Sequence, residues 1–201
     1  MKKILLTGSN GFLGEEIISE LREDYELILI DKDENHLKNL GSKSIFYKID
    51  IRSKNELIKV FQNHKIDIIL HCAAELLDEK NADKVWQTNY NGTNNILDLA
   101  DEFKIEKFIF TSTFSLFEKN YDVPINEKEL PSAIVDYGRS KYAAENLILR
   151  HNYSGDVVIF PGWVHHSTTP NESDEPRLMI GANYWLRGNM QFFDELDRIN
   201  I

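Results

Sequence analysis

The chain has 201 residues, 42% apolar and 28% charged, which suits one domain, or one domain with a small appendage. Its formal charge of −10 excludes nucleic acid and other polyanions as general partners, though a small phosphorylated ligand needs only a local site. No apolar run reaches the roughly 18 residues of a membrane span, and the single cysteine, Cys72, excludes an intrachain disulfide and argues against a thiolate metal site, so a cytoplasmic protein without a metal is expected.

The N-terminal "MKKILLTG" has too short an apolar run for a secretion signal and reads as a first strand, Lys3–Thr7. A helix follows over Leu13–Arg22, then a strand over Glu26–Ile30, a helical stretch over Glu34–Leu40 and a strand over Ser44–Ile49. The pattern continues with a helix at Lys54–Asn63, a strand at Ile66–Cys72, a long helix at Ala82–Phe103 and a strand at Lys107–Ser112. Phe114–Val135, with Pro124 and Pro131, is a long connection of the kind that forms lids or binding loops. A helix over Tyr137–Asn152 and a strand over Asp156–Phe160 complete the regular part. The strands are nearly continuous Ile, Leu, Val and Phe, as in parallel sheets buried on both faces. Strand–helix alternation predicts right-handed βαβ units in a doubly wound α/β sheet. Beyond Phe160, "HHSTTPNESDEP" is polar and acidic, "RLMIGANYWLRG" fits one short helix, and "NMQFFDELDRINI" adds a strand or frays.

"LLTGSNGFLGEEI" (5–17) joins the first strand to the first helix and carries Gly8, Gly11 and Gly14 at a spacing of three. Glycine in the first position permits a tight turn, in the second a close approach of backbone to a pyrophosphate, and in the third close packing of helix on strand. The helix N-terminus adds N–H groups and partial positive charge for the phosphates. The flanking strand and helix supply the context that a bare glycine triplet lacks. Asp31 ends the second strand, where a carboxylate binds adenosine ribose hydroxyls and repels a 2′-phosphate. NAD is therefore favoured over NADP; Asp33 adds to the repulsion and Lys32 subtracts from it. Asp31 also fits the plainer role of an acid at a helix start.

"TGSNGFLG" resembles the TGxxGFxG loop of the extended short-chain dehydrogenase/reductase family, which includes nucleotide-sugar epimerases and dehydratases. Further motifs are similar in order: "KIDIRS" (48–53), "HCAA" (71–74), "NYNGTNNILDLA" (89–100), "FIFTSTFSLF" (108–117) and "YGRSKYAAE" with its trailing glutamate. The resemblance runs from residue 1 to about 160. It implies a Rossmann fold over 1–160 that holds NAD, and a short remnant of a substrate lobe over 161–201. The cofactor residues it implies are Gly8, Asn10, Gly11, Phe12, Leu13, Gly14 and Asp31, with Asp50 at the adenine amino group and Ile51 beside the ring. His71, Cys72, Ala73 and Ala74 line the cofactor, and Lys141 and Pro161 complete the set. Asn89 is implied as a structural asparagine that stabilises the sheet and a proton-relay water. By itself, Cys72 reads as a small buried hydrophobe.

Tyr137 and Lys141 stand one helical turn apart and share a face. Shifting a tyrosine from about 10 to about 7 requires roughly 4 kcal/mol of preference for phenolate. A lysine cation and a positive nicotinamide ring both act in that direction. The resemblance implies catalytic residues Thr113, Tyr137 and Lys141, with Ser112 as the alternative to Thr113. Tyr137 moves the proton as hydride moves to or from carbon, Thr113 orients the substrate oxygen, and Lys141 also holds the nicotinamide ribose.

Three departures stand out. Phe117-Glu118 replaces the family's Tyr-Gly pair, Phe160 replaces an arginine, and His165-His166-Ser167 replaces a Tyr-Gly-Pro turn. The adjacent histidines point apart and suit a solvated loop better than a metal pair. Residues after Phe160 are fewer than the family's substrate lobe needs, so half of a substrate site is expected to be missing or reduced. The expected function is an NAD-dependent nucleotide-sugar epimerase, dehydratase or reductase, with a homodimer built on helices 82–103 and 137–152. The alternatives are a non-catalytic dinucleotide-binding regulator or truncated inactive paralogue, and a reductase of a non-sugar ketone or alcohol.

Overall fold

The computed structural model describes residues 1–34, 40, 42–76, 81–117, 131–150 and 157–159. Its strands are β1 (Lys3–Thr7), β2 (Glu26–Asp31), β3 (Ser44–Lys48), β4 (Ile68–His71), β5 (Lys107–Thr111) and β6 (Val157–Ile159). They form one six-stranded sheet in the order β3-β2-β1-β4-β5-β6, and every pairing is parallel. The order reverses at β1, because β2 lies on one side of it and β4 on the other. That reversal opens a crevice at the carboxyl ends of β1 and β4, where open α/β sheets bind ligands.

The unbroken apolar runs are explained by the two rows they feed. Leu5, Ile28, Ile69 and Phe108 lie in register and face α2 (Lys54–Asn63), α4 (Thr93–Glu102) and α5 (Asp136–Arg150). Leu6, Leu29, Leu70 and Ile109 form the next row and face α1 (Phe12–Leu21) through Ile17 and Ile18. Side chains alternate across a strand, so a sheet covered on both faces has no position for a polar residue at mid-strand.

The expected helix over Ala82–Phe103 is not uniform. It begins as α3 (Ala82–Trp86), widens into a turn of π-helix (Gln87–Gly92), and continues as α4. The Thr93 hydroxyl donates to the Asn89 carbonyl (2.7 Å), and glycine at 92 leaves room for Ile51, whose Cδ1 would lie 2.6 Å from a Cβ there. Such widened turns recur at functional sites, and this one carries Asn89. β4 is shorter than expected, because Asp67 is engaged with Lys3: its N–H donates to the Lys3 carbonyl (3.0 Å) and its carboxylate accepts the Lys3 N–H (2.7 Å). The expected helix at Glu34–Leu40 falls mostly outside the described residues. So do 118–130 of the long connection and everything from 160 onward, including Pro161, His165 and His166. Among the described residues no helix is long and apolar enough to cross a membrane.

Candidate active site at the carboxyl edge of the sheet

The glycine loop leaves β1 and returns into α1. Gly8 has φ +72°, and a Cβ on it would lie 2.6 Å from the Ala73 nitrogen, so the position admits no side chain. A Cβ on Gly14 would lie 2.7 Å from Ser9 Cα, which fixes how closely α1 packs on the loop. Gly11 differs: a Cβ there would meet only the Gly8 carbonyl, at 3.3 Å, so its outer face is open. As the N-cap of α1, Gly11 has no side chain to cap the first turn, whose N–H groups have no intrahelical partner. Tight backbone at 8 and 14, open backbone at 11 and an uncapped helix start fit a pyrophosphate. Ser9 is fully buried, and its hydroxyl has no partner among the described residues.

Asp31 holds this loop in place. Its carboxylate accepts the Asn10 N–H (3.0 Å) and the Asp33 N–H (3.0 Å), at the mouth of the crevice. Asp50 pairs with Arg52 through both carboxylate oxygens (3.0 and 2.6 Å), and the Arg52 hydrogen bond holds its carboxyl below the ordinary range. The Ile51 side chain is only 4% exposed and packs towards Gly92.

His71 is fully buried and lines no surface. Nδ1 sits 2.6 Å from the Thr7 hydroxyl and Nε2 2.9 Å from the Thr93 hydroxyl. Thr93 already donates to the Asn89 carbonyl, so Nε2–H donates to Thr93 and Nδ1 accepts from Thr7. Burial, then the Lys141 charge, push the imidazole down to about 3. The Thr7 hydroxyl also accepts the Ala73 N–H (3.3 Å), tying the chain before Gly8 to the loop after β4. Burial pushes the Cys72 thiol up to about 12, so it packs as a small apolar group.

Asn89 is 1% exposed and grips Glu75 as a strand partner would: Oδ1 accepts the Glu75 N–H (2.7 Å) and Nδ2 donates to the Glu75 carbonyl (2.9 Å). Nδ2 also donates to the Ser140 hydroxyl (3.0 Å), which in turn donates to the Tyr137 carbonyl (2.8 Å). The loop after β4, the π turn and the first turn of α5 are thus one connected unit, and it flanks Ala73 and Ala74.

Thr113 and Ser112 follow β5 with different partners. The Thr113 hydroxyl acts on the Tyr137 phenol, lowering its pKa, whereas Ser112 donates to the half-buried Glu145 carboxylate of α5. The structure therefore places Thr113, not Ser112, beside the tyrosine. Gly138 makes the approach possible, since a Cβ there would strike the Ser115 carbonyl and lie 3.0 Å from the Ala133 side chain. Burial pushes the Tyr137 phenol above its ordinary range, and the Thr113 hydrogen bond pulls it back. Lys141 is 2% exposed, with its ammonium 3.8 Å over the Phe110 ring. Burial lowers it to about 7, opposed by Cys72 and Glu145.

The loop glycines, Asn10, Asp31, Ala73, Ala74, Asn89, Thr113, Tyr137 and Lys141 thus gather along one edge of the sheet, and Phe12 opens α1 as an exposed side chain. Reading the chain by motif missed Gly138, Ser140 and the carboxylate of Glu75. Only the glycine directly after Tyr137 left a visible signal. The other two reach partners far along the chain, Ser140 to Asn89 and Glu75 to Lys32.

A family model described as NAD dependent epimerase/dehydratase matches residues 4–178. A putative UDP-glucose 4-epimerase of Methanocaldococcus jannaschii is 31% identical over 89% of this chain and 60% of its own length. A dTDP-D-glucose 4,6-dehydratase of Dictyostelium discoideum is 32% identical over 74% of this chain and 40% of its own. Among solved structures, a UDP-glucose 4-epimerase of Thermotoga maritima with UDP-glucose superposes with TM-score 0.72 at 26% identity, covering 79% of this chain and 54% of that one. The chain spans about half the length of the relatives it matches.

Proposed function

The chain belongs to the NAD dependent epimerase/dehydratase family, and from that premise we propose that it is an enzyme acting on a nucleotide sugar, with Tyr137 as its acid–base residue. The observation that carries the reading is a half-buried Tyr137, its phenol pKa lowered by Thr113, with the buried Lys141 one helical turn later on α5. The curated relatives support the substrate class, being named for UDP-glucose and dTDP-glucose.

NAD, when bound, supplies the hydride acceptor and a positive ring. Gly8, Gly11, Gly14 and the start of α1 would hold its pyrophosphate, Asp31 and Asp50 its adenosine half, and Lys141 its second ribose. The chain's own residues manage the proton. Tyr137 Oη takes it from a substrate hydroxyl or gives it to a carbonyl, while the Thr113 hydroxyl fixes the oxygen concerned. Burial alone works against phenolate, so Lys141 contributes positive charge from the next turn. The Asn89–Ser140 hydrogen bonds hold the first turn of α5 at the angle this needs. Residues 1–160 form the cofactor-holding unit in this reading, and 161–201 belong to the substrate side.

The test is dinucleotide binding followed by turnover of UDP-, GDP- and dTDP-sugars. Tyr137→Phe retains NAD⁺ affinity and loses turnover. An equally active Tyr137→Phe chain refutes the mechanism, and absence of binding at millimolar NAD⁺ or NADP⁺ refutes the cofactor site. Binding without turnover on any sugar favours the regulator alternative.

A further inference from the structure

Three cations stand near the ends of β2 and β3, on the side of the crevice assigned above to the adenosine half. Each is held by a carboxylate among the described residues. Arg52 takes Asp50, Lys48 takes Glu34 (3.3 Å), and Lys32 takes Glu75 (2.7 Å). The first two partners lie on the same side of β1 as their cation. Glu75 does not: it comes from the loop after β4, on the far side of β1 from Lys32. The Lys32–Glu75 pair therefore spans the mouth of the crevice above the glycine loop.

Glu75 is the anchored member of this pair. Asn89 clamps its backbone on both sides, and its other carboxylate oxygen takes Lys84 of α3 (2.8 Å). Its side chain is 16% exposed, against 44% for Lys32. Burial raises the Glu75 carboxyl, but Lys32 and Lys84 outweigh it and hold it below the ordinary range, so it is charged at neutral pH. Lys32 directly follows Asp31, where a cation would meet a 2′-phosphate on the adenosine ribose.

We propose that Glu75 is a specificity-determining residue: by holding the Lys32 ammonium across the crevice, it denies a 2′-phosphate its cation and makes the chain select NAD over NADP. Asp31 contributes the repulsion, and Glu75 removes the one neighbour along the chain that would offset it. The inference rests on the reading that the crevice holds the adenosine half of a dinucleotide.

The experiment measures Kd for NAD⁺ and NADP⁺ at low salt in the wild-type chain, Glu75→Gln, Lys32→Met and the double variant. Glutamine keeps the shape and leaves the backbone clamp untouched. In Glu75→Gln the preference for NAD⁺ is expected to fall several-fold, up to about tenfold, mainly through tighter NADP⁺ binding. The double variant returns to the wild-type preference. An unchanged ratio in Glu75→Gln overturns the proposal. So does equal weakening of both cofactors, which marks Glu75 as structural only, or an undiminished effect in the double variant, which shows that Lys32 plays no part. A wild-type chain that binds neither dinucleotide strikes instead at the proposed function, and this inference falls with it.

Discussion

Lowering the pH from 7 to 5 should destabilise the unliganded fold through His71. The ring is fully buried, held at about 3 by burial and by Lys141, and both nitrogens are committed to threonine hydroxyls in the neutral tautomer. Unfolded histidine takes a proton near 6.5, so below that pH the unfolded chain binds a proton that the folded chain refuses until about 3. Stability is therefore unaffected by His71 above about 6.5 and falls by about 1.4 kcal/mol per pH unit below it, or roughly 2 kcal/mol by pH 5. His64, also lowered by burial, adds in the same direction. The depressed carboxyls of Asp50 and Glu75 contribute stability that is lost only nearer pH 4 and below. The contribution of His71 is isolated by comparison with His71→Gln, which cannot titrate. Urea unfolding at pH 7, 6 and 5 gives the slope for both proteins. The variant starts lower, by about 1–3 kcal/mol for its disturbed hydrogen bonds, but loses less between pH 6.5 and 5. Identical slopes would refute the assignment of a buried, neutral His71.

The two hydroxyls after β5 should separate cleanly. Thr113→Val lowers turnover on a nucleotide sugar by about a hundredfold, within the usual range for a proton-transfer partner, with little change in NAD⁺ affinity. Ser112→Ala costs about 1 kcal/mol in urea unfolding, because the half-buried Glu145 carboxylate loses its donor, and leaves more activity. The opposite ranking would return the role to Ser112. Lys141 stands at about 7 in the fold and near 10.5 unfolded, so its buried charge costs stability in full below about 7 and progressively less as pH rises towards 10.5. The unliganded chain should therefore gain stability between pH 7 and 8.5, and Lys141→Met should abolish that gain while raising stability at pH 7. Melting temperatures at the two pH values test this, and a Lys141→Met chain that is less stable at pH 7 contradicts it.

The sequence alone carried the architecture. Continuous apolar strands cannot stand half-exposed, and their alternation with helices leaves a doubly wound parallel sheet as the economical solution. Lys3–Thr7 and Lys54–Asn63 have the boundaries the pattern predicts, because turn chemistry beside them is local. The glycine loop was legible for the same reason: Gly8, Gly11 and Gly14 act within one turn of the chain. Tertiary structure decided what depends on distant partners. Ser112 and Thr113 are equivalent along the chain, and only the packing of α5 gives one to Glu145 and the other to Tyr137. The π turn could not be read from a helical period, since it is held by Asn89 reaching Glu75 and by Ile51 filling the space at Gly92. Lys141 is one turn from Tyr137 in any helix, but its burial over Phe110 comes from β5. Lys32 offered only an ambiguous charge beside Asp31. Its pairing with Glu75 exists because the sheet order brings the ends of β2 and β4 to the two sides of β1, and hydrogen bonds and charges act across such gaps without leaving a period in the sequence.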